Sequence, residues 1–172
     1  MCEKLEEAGQ ETRFLGENGF LIRGKLVPTL HTIGYERRPL SEFIHLLRKA
    51  GVDAVIDIRL RNTSQLAGYT KRDDLAFLLS EGFAIAYEHH PELAPTAEIL
   101  DAYTEDHNWP DYAARFTALL AESRTEAVGR DVLARFRAPC LLCHEATAEQ
   151  CHRRLIAEWW AAHIPGLTIV HL

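Results

Sequence analysis

Residues 138–156 read APCLLCHEATAEQCHRRLI and decide the fold class of this chain. The first six residues form an apolar run, which is typical of a buried strand. Thr147 is followed three residues later by Gln150, a capping-box pattern that predicts a helix from Ala148 to about His163. A strand that leads into a helix through a short loop places a helix N-terminus at the carboxyl edge of a sheet. At that edge α/β proteins bind ligands.

The rest of the chain repeats this alternation of strands and helices. Strands are predicted at Leu30–Gly34, Ala54–Ile58, Phe83–Tyr87, Ala138–Cys143 and Leu167–His171. Helices are predicted from Pro39 to Gly51, over Arg72–Ser80 and over Asp111–Ser123, in addition to the last one. The pattern indicates one three-layer α/β domain over residues 28–172, with a mostly parallel sheet of about five strands and helices on both faces. Residues 1–27 form a polar lead-in with a hairpin expected at Gly19–Leu26, and residues 88–108 are expected to be an irregular insertion.

Composition narrows the class of protein. The chain has 172 residues, of which 47% are hydrophobic, and this suffices for one domain with a substantial core. Its formal net charge of −6 argues against nonspecific binding to duplex DNA, which requires neutralisation of phosphates. We see no signal peptide and no apolar stretch long enough to span a membrane, so a cytoplasmic location with reduced cysteines is expected.

A parallel sheet brings the carboxyl ends of its strands to one edge. Polar residues follow four of the predicted strands and are expected to meet there. They are Gly34 and Tyr35; Asp57, Arg59 and Arg61; Tyr87, His89 and His90; and Cys143, His144 and Glu145. Carboxylates, arginines and imidazoles gathered at such an edge are typical of an anion-handling or acid–base site.

The last helix adds further candidates to this edge. At about 100° per residue, His152 lies near the centre of the apolar face, with Cys151 and Arg153 at its two borders. Arg154 points to solvent and is expected to pair with Glu158. His152 is therefore predicted to face the site, either as an acid–base group or as a buried imidazole that bonds a strand carbonyl.

Two readings stay open for most candidates. Asp57 either orients a catalytic group or caps the loop after its strand, and Arg153 either clamps an anion or pairs with Asp57. Cys143 or Cys151 is either a nucleophile, with a pKa lowered by nearby arginines, or a small buried core residue.

A structural zinc site is a less favoured alternative, and no metal or other cofactor is predicted. Five residues, Cys140, Cys143, His144, Cys151 and His152, supply enough ligands for zinc. Cys140 and Cys143 have the spacing of a zinc knuckle, but they lie within an apolar strand. Side chains three apart on a strand point to opposite faces of the sheet, which argues against their sharing an ion.

The chain resembles a bacterial and archaeal family catalogued as a domain of unknown function, number four-eight-eight. The resemblance rests on five motifs: Thr32-Ile-Gly34, Val55-Ile-Asp-Ile-Arg59, Gly68-Tyr-Thr-Lys71, Tyr87-Glu-His-His-Pro-Glu-Leu93, and Leu141-Leu-Cys-His-Glu145 followed by Cys151-His-Arg153. It implies a single α/β domain and nominates Asp57, Arg59, His89, Cys143, Glu145, Cys151, His152 and Arg153 as site residues. It implies no reaction.

The leading hypothesis is an enzyme, a hydrolase or group transferase, that acts on a small anionic or nucleotide-like molecule at the carboxyl edge of the sheet. The catalytic candidates are Glu145, His152, Asp57, Cys143 and Cys151. The substrate-binding candidates are Arg59, Arg153, His89, Gly34 and Tyr35. A ligand-binding or regulatory module without chemistry is the alternative, since a sensor needs only hydrogen-bond donors around an anion.

Overall fold

The computed structural model describes residues 21–22, 25–26 and 28–172. Strands β1 (Leu21–Ile22) and β2 (Lys25–Leu26) pair antiparallel, within the span where the hairpin is expected. The rest of the predicted lead-in lies outside the described residues. Among the residues described, no helix has the length and apolar character needed to cross a bilayer.

Strands and helices alternate along the remainder of the chain. The elements are β3 (Thr29–Gly34), α1 (Leu40–Lys49), β4 (Ala54–Asp57), α2 (Arg72–Phe83), β5 (Ala86–His89), α3 (Ala97–Asp106), α4 (Trp109–Glu122), α5 (Thr125–Arg135), β6 (Pro139–Cys143), α6 (His152–His163) and β7 (Thr168–His171). Strands β3 to β7 form one parallel sheet in the order β5-β4-β6-β3-β7. The predicted α/β domain with a parallel five-stranded sheet is confirmed.

Each face of the sheet carries its own hydrophobic core, because side chains alternate along a buried strand. On β6, Cys140 and Leu142 pack with α1 and α2, whereas Leu141 and Cys143 pack with the helices of the other face. Phe43 and Leu79 are buried in the first core, and Phe116 and Trp160 in the second. The expectation that Cys140 and Cys143 point to opposite faces is confirmed.

The strand order creates a crevice at the carboxyl edge between β3 and β6. From β3 the chain runs through α1 to β4, and from the neighbouring β6 it runs through α6 to β7, in the opposite direction along the sheet. The two connections leave neighbouring strands in opposite directions and on opposite faces of the sheet, with α1 crossing β6 and α6 crossing β3. A reversal of direction between neighbouring strands is where open α/β sheets bind ligands. The register places Gly34 opposite Cys143 and Asp57 opposite Leu142, so the strand ends are level.

Three sequence predictions are wrong in detail. The strand predicted at Phe83–Tyr87 runs from Ala86 to His89, because α2 continues through Phe83. The last helix begins at His152, with Cys151 as its N-terminal cap, and residues 144–151 form a turn-rich loop instead of a capping box at Thr147. The carbonyls at the start of this loop bond the Arg153 guanidinium, so tertiary contacts override the local capping pattern. The insertion at 88–108 is also not wholly irregular, because it contains α3, whose cap Thr96 accepts a hydrogen bond from the Ile99 amide.

The contact between α5 and α6 predicts the response to one glycine substitution. A Cβ on Gly129 would lie 2.6 Å from Cδ2 of the fully buried Trp160 ring. Although alanine favours a helix more than glycine does, we expect Gly129→Ala to lower the free energy of unfolding by about 1–3 kcal/mol through overpacking. Denaturant-induced unfolding measures this change.

Gly82→Ala is the matched control, since Gly82 is also helical but exposed, and its added Cβ would meet only Leu78 at 3.8 Å. This variant should gain up to about 1 kcal/mol from helix propensity alone. Equal effects of the two substitutions would contradict the tight packing of α5 against α6.

Candidate functional site

Four side chains form a compact group at the carboxyl edge, which we call the thiol cluster: Cys143, Glu145, Cys151 and His152. Cys143 ends β6, Glu145 lies two residues beyond it, and Cys151 and His152 open α6. One nitrogen, oxygen or sulfur atom from each of the four lies within 4.8 Å of the others. The residues after β6 and the residues at the start of α6 are thus brought together at the carboxyl edge of the sheet.

The Glu145 carboxylate is the hub of the thiol cluster. Its Oε2 accepts hydrogen bonds from the Cys143 thiol at 2.9 Å and from the Cys151 thiol at 2.8 Å. Nδ1 of His152 lies 3.3 Å from the Cys143 sulfur. Both cysteines and His152 are buried, and Glu145 is partly exposed.

A backbone carbonyl orients the imidazole of His152. Its Nε2 lies 3.1 Å from the carbonyl oxygen of Ile58, which only accepts hydrogen bonds, so Nε2 carries the proton. Phe116 contacts the ring edge-on at 5.8 Å between centroids. His152 therefore faces inward, as predicted, and directs Nδ1 at Cys143. The buried imidazole bonds a backbone carbonyl just beyond β4, and the acid–base reading stays a prediction.

The electrostatics of the thiol cluster disfavour a free thiolate. Burial raises the pKa of Cys143, and burial together with the neighbouring Cys143 raises the pKa of Cys151. Burial also acts to raise the pKa of Glu145, but the hydrogen bonds from the two thiols outweigh it and hold that pKa below its ordinary value. The thiols thus donate to an ionised carboxylate, opposite to the lowered thiol pKa that the sequence suggested for a nucleophile.

Arg153 holds the loop that carries Glu145. Its guanidinium is buried and donates to the backbone carbonyls of Glu145 and Ala146, and Nη1 lies 3.6 Å from the Cys151 sulfur. The Glu145 carbonyl also occupies the space of a side chain at Gly34, where an added Cβ would lie 1.7 Å from that oxygen. Arg153 pairs neither with Asp57 nor with any other carboxylate in the described part of the chain.

Asp57 and Arg59 form a buried ion pair beside the thiol cluster. Nε and Nη2 of Arg59 donate to the two Asp57 oxygens at 2.8 and 2.6 Å, and further donors of Arg59 bind the hydroxyl and carbonyl oxygens of Thr70. Tyr87 and Asn62 also donate to Asp57, at 2.6 and 3.0 Å. Burial acts to raise the pKa of Asp57, but the Arg59 guanidinium outweighs it and lowers that pKa below 3.8. Asp57 therefore positions Arg59.

A cavity of about 190 Å³, which we call the edge cavity, lies directly against the thiol cluster. Its polar lining consists of Tyr35, Arg59, Arg61, His144, Glu145 and His152, with the Cys143 sulfur beside them. Leu60, Pro95 and Leu100 form its apolar lining. Five of the ten predicted site residues line this cavity: Tyr35, Arg59, Cys143, Glu145 and His152.

The other five predicted residues lie behind the edge cavity and do not line it. Gly34 and Arg153 shape the loop, Asp57 is fully buried, and Cys151 contacts the cavity only through Glu145. His89 is half-buried and its Nε2 lies 2.9 Å from the Arg59 carbonyl, so it supports the loop after β4.

Sequence reasoning assigned no role to several residues of the edge cavity. Arg61 was expected at this edge, but nothing distinguished it from Arg59. The available signal was that residues two apart in an extended segment point to the same side, so Arg61 should face the same way as Arg59. His144 contacts Tyr35 edge-on at 5.0 Å between centroids. Pro95 and Leu100 come from the insertion, where the Thr96 cap was the overlooked helix signal.

The Asp57–Arg59 pair predicts a pH-dependent stability. Because the folded-state pKa of Asp57 is lowered, its contribution is complete above 3.8 and is lost as the pH falls through the folded value. We expect Asp57→Asn to destabilise the fold by about 3–5 kcal/mol at neutral pH, since it leaves a buried guanidinium without its counter-charge. The variant should also lose part of the decline in stability between about pH 5 and pH 2. Unfolding titrations across pH measure both effects.

The exposed pair Arg154–Glu158, 3.9 Å apart as predicted, provides the control. Glu158→Gln should change stability by no more than about 0.5 kcal/mol. If Asp57→Asn changed the free energy of unfolding as little as Glu158→Gln does, the buried ion pair would not contribute to stability.

Comparison with known proteins confirms the family that the sequence resembles. A family model described as "Domain of unknown function DUF488" matches residues 39–160. This range contains β4, β6, the whole thiol cluster and most of α6. Searches of curated proteins and of solved structures found no match. The chain is a member of the DUF488 family.

Proposed function

We propose that this protein is an enzyme that carries out hydrolysis or group transfer on a small anionic substrate bound in the edge cavity. One observation carries the proposal: the acid–base groups Glu145 and His152 line the same cavity as the guanidinium of Arg61. A cavity that joins groups able to move protons with a group able to bind an anion meets the basic requirement for such catalysis.

The size of the edge cavity supports a small substrate. Its volume of about 190 Å³ is below the roughly 300–1,000 Å³ of pockets that enclose drug-sized ligands. A simple oxyanion, a short carboxylate or one phosphoryl group fits there. A nucleotide-like substrate would place one such group in the cavity and leave the remainder outside.

Arg61 is the cation best placed to bind the substrate. Its side chain is 66% exposed and its partner Asp101 is 3.5 Å away at the surface, an ion pair that a bound anion can replace at little cost. Arg59 makes four side-chain hydrogen bonds to Asp57 and Thr70 and also contacts Tyr35, whose ring centroid lies 5.1 Å from the guanidinium carbon, so most of its donors are already engaged. Arg153 donates to the loop carbonyls instead. We therefore move the main anion-binding role from Arg59 and Arg153 to Arg61.

Glu145 is the best candidate for the general base. It is ionised, it lines the edge cavity, and it already accepts hydrogen bonds from two thiols. In hydrolysis it would take the proton of the attacking water, and in group transfer that of the acceptor hydroxyl. Cys143 and Cys151 are protonated thiols that donate hydrogen bonds to this carboxylate, and a protonated thiol is a poor nucleophile.

Binding of small anions tests the first part of the proposal. Isothermal titration with phosphate, sulfate, pyrophosphate and small dicarboxylates should identify at least one ligand of the wild-type protein. Arg61→Ala should weaken its binding by about 10-fold or more, because a charged partner is removed.

Arg137→Ala is the matched control. Arg137 is also an exposed arginine, 3.8 Å from Asp53, but it precedes β6 at the opposite end of the sheet. It should bind the anion as wild type does. Equal behaviour of the two arginine variants, or no anion binding by the wild type, would refute the proposed anion site.

Turnover of the identified ligand class tests the second part. Glu145→Gln keeps an oxygen that accepts hydrogen bonds but loses the base, so it should retain anion binding and lose about 100-fold or more in turnover. Unchanged turnover in this variant would exclude Glu145 as the base. If the wild-type protein bound the ligand but did not convert it, the enzyme proposal would be refuted in favour of a ligand-binding module.

A further inference from the structure

We propose that the thiol cluster is a binding site for one divalent cation of the zinc class. The ligands are Sγ of Cys143, Sγ of Cys151, Nδ1 of His152 and Oε2 of Glu145. This inference revises the expectation that the protein uses no metal, and cation binding does not depend on the proposed reaction.

The donor set is the first argument. Two sulfurs, an imidazole nitrogen and a carboxylate oxygen are ligands that zinc takes in tetrahedral sites. Two cysteines and one histidine are also a known ligand set of catalytic zinc, in which the fourth position is exchangeable.

The spacing of the four atoms is the second argument. Metal–ligand bonds of about 2.0–2.3 Å in a tetrahedron place neighbouring ligand atoms about 3.3–3.8 Å apart. In the thiol cluster Glu145 Oε2 lies 2.9 and 2.8 Å from the two sulfurs, and Cys143 Sγ lies 3.3 Å from His152 Nδ1. No pair of the four exceeds 4.8 Å. Shifts of about 1 Å or less would place all four around one ion.

The orientation of His152 is the third argument. Metal-binding histidines almost always donate their second ring N–H to a carbonyl or carboxylate, and this fixes the lone pair on the ligating nitrogen. Nε2 of His152 donates to the Ile58 carbonyl at 3.1 Å, so Nδ1 is the ring nitrogen directed at the sulfur of Cys143 and the one able to ligate an ion. The backbone of β4's exit loop thus prepares the imidazole as a ligand.

Charge balance is the fourth argument. Arg153 is 1% exposed and has no carboxylate ion-pair partner among residues 28–172. A buried guanidinium requires a counter-charge. Two thiolates, one carboxylate and one divalent cation carry a net charge of −1, and Arg153 lies 3.6 Å from one of the sulfurs. The cation-free cluster, with Glu145 ionised and both thiols protonated, also carries −1, so binding a divalent cation with release of two protons leaves the charge beside Arg153 unchanged.

The position of Glu145 connects the cation to the edge cavity. Cys151 lies behind the cavity, whereas Glu145 is partly exposed and lines it. Glu145 is therefore the ligand that an anion in the edge cavity would displace, and the displaced carboxylate would then be free to act as the proposed base. In this respect the inference rests on the proposed function, because the cation would then polarise the bound substrate.

Cobalt binding tests the proposal. Metal-free protein, prepared with a chelator and kept reduced, is titrated with Co²⁺ alone. One equivalent should bind with a thiolate-to-cobalt charge-transfer band and the intense visible bands of tetrahedral cobalt. Zn²⁺ should displace it and raise the melting temperature, since a ligand bound only by the folded state stabilises that state.

Cysteine variants provide the comparison. Cys143→Ser and His152→Gln should weaken Co²⁺ binding by more than about 100-fold and remove or alter the charge-transfer band. Cys140→Ala is the matched control, because Cys140 lies three residues away but on the opposite face of the sheet, in the other core. It should bind Co²⁺ as the wild type does. Circular dichroism of each metal-free variant establishes that it is folded.

Two results would overturn the inference: wild-type protein that shows no thiolate-to-cobalt band, or folded Cys143→Ser and His152→Gln proteins that keep the wild-type spectrum and affinity. Neither result bears on the anion site, which depends on Arg61. Conversely, wild-type protein that binds no anion would refute the anion site but should still give the cobalt spectrum.

Discussion

The clamp that Arg153 places on the loop after β6 is the interaction on which the candidate site depends. The loop leaves the sheet at Cys143 and must return Glu145 to the start of α6. Arg153, inside the first turn of that helix, donates to the carbonyls of Glu145 and Ala146, and Gly34 leaves room for one of those carbonyls beside β3. Because the same helix start carries Cys151 and His152, this clamp brings the thiol cluster together.

A second buried charge supports the neighbouring strand end. Asp57 and Arg59 neutralise each other while Thr70, Asn62 and Tyr87 satisfy their remaining hydrogen-bonding groups. This network holds the loop after β4, whose Ile58 carbonyl orients His152 and whose Arg61 lines the edge cavity. The two arginines that the sequence suggests as anion ligands, Arg59 and Arg153, thus hold the loops whose groups face the cavity.

The candidate site shows where sequence reasoning succeeded and where it failed. The inward position of His152 follows from the 3.6-residue period of α6, and the opposite faces of Cys140 and Cys143 follow from the two-residue period of β6. Cys143, Cys151 and His152 were all among the possible zinc ligands in the sequence, but only Cys140 and Cys143 have a recognised spacing, and that pair points to opposite faces. The sequence could not place Cys143 beside Cys151, because no local period relates residues on either side of an irregular loop.

Local and tertiary information divide clearly in this protein. The sequence alone determined the α/β class, the parallel sheet, the edge at which the polar residues gather and the family, since these follow from short-range periodicity and contiguous motifs. Only the tertiary structure decided the strand order, the start of α6, and which arginine is exposed at the cavity and which are held by buried hydrogen bonds. Those features depend on contacts between residues far apart in the chain, such as Gly34 with Glu145 and His152 with Ile58. A local sequence pattern does not indicate which distant residue will pair with a buried charge or bond a backbone carbonyl.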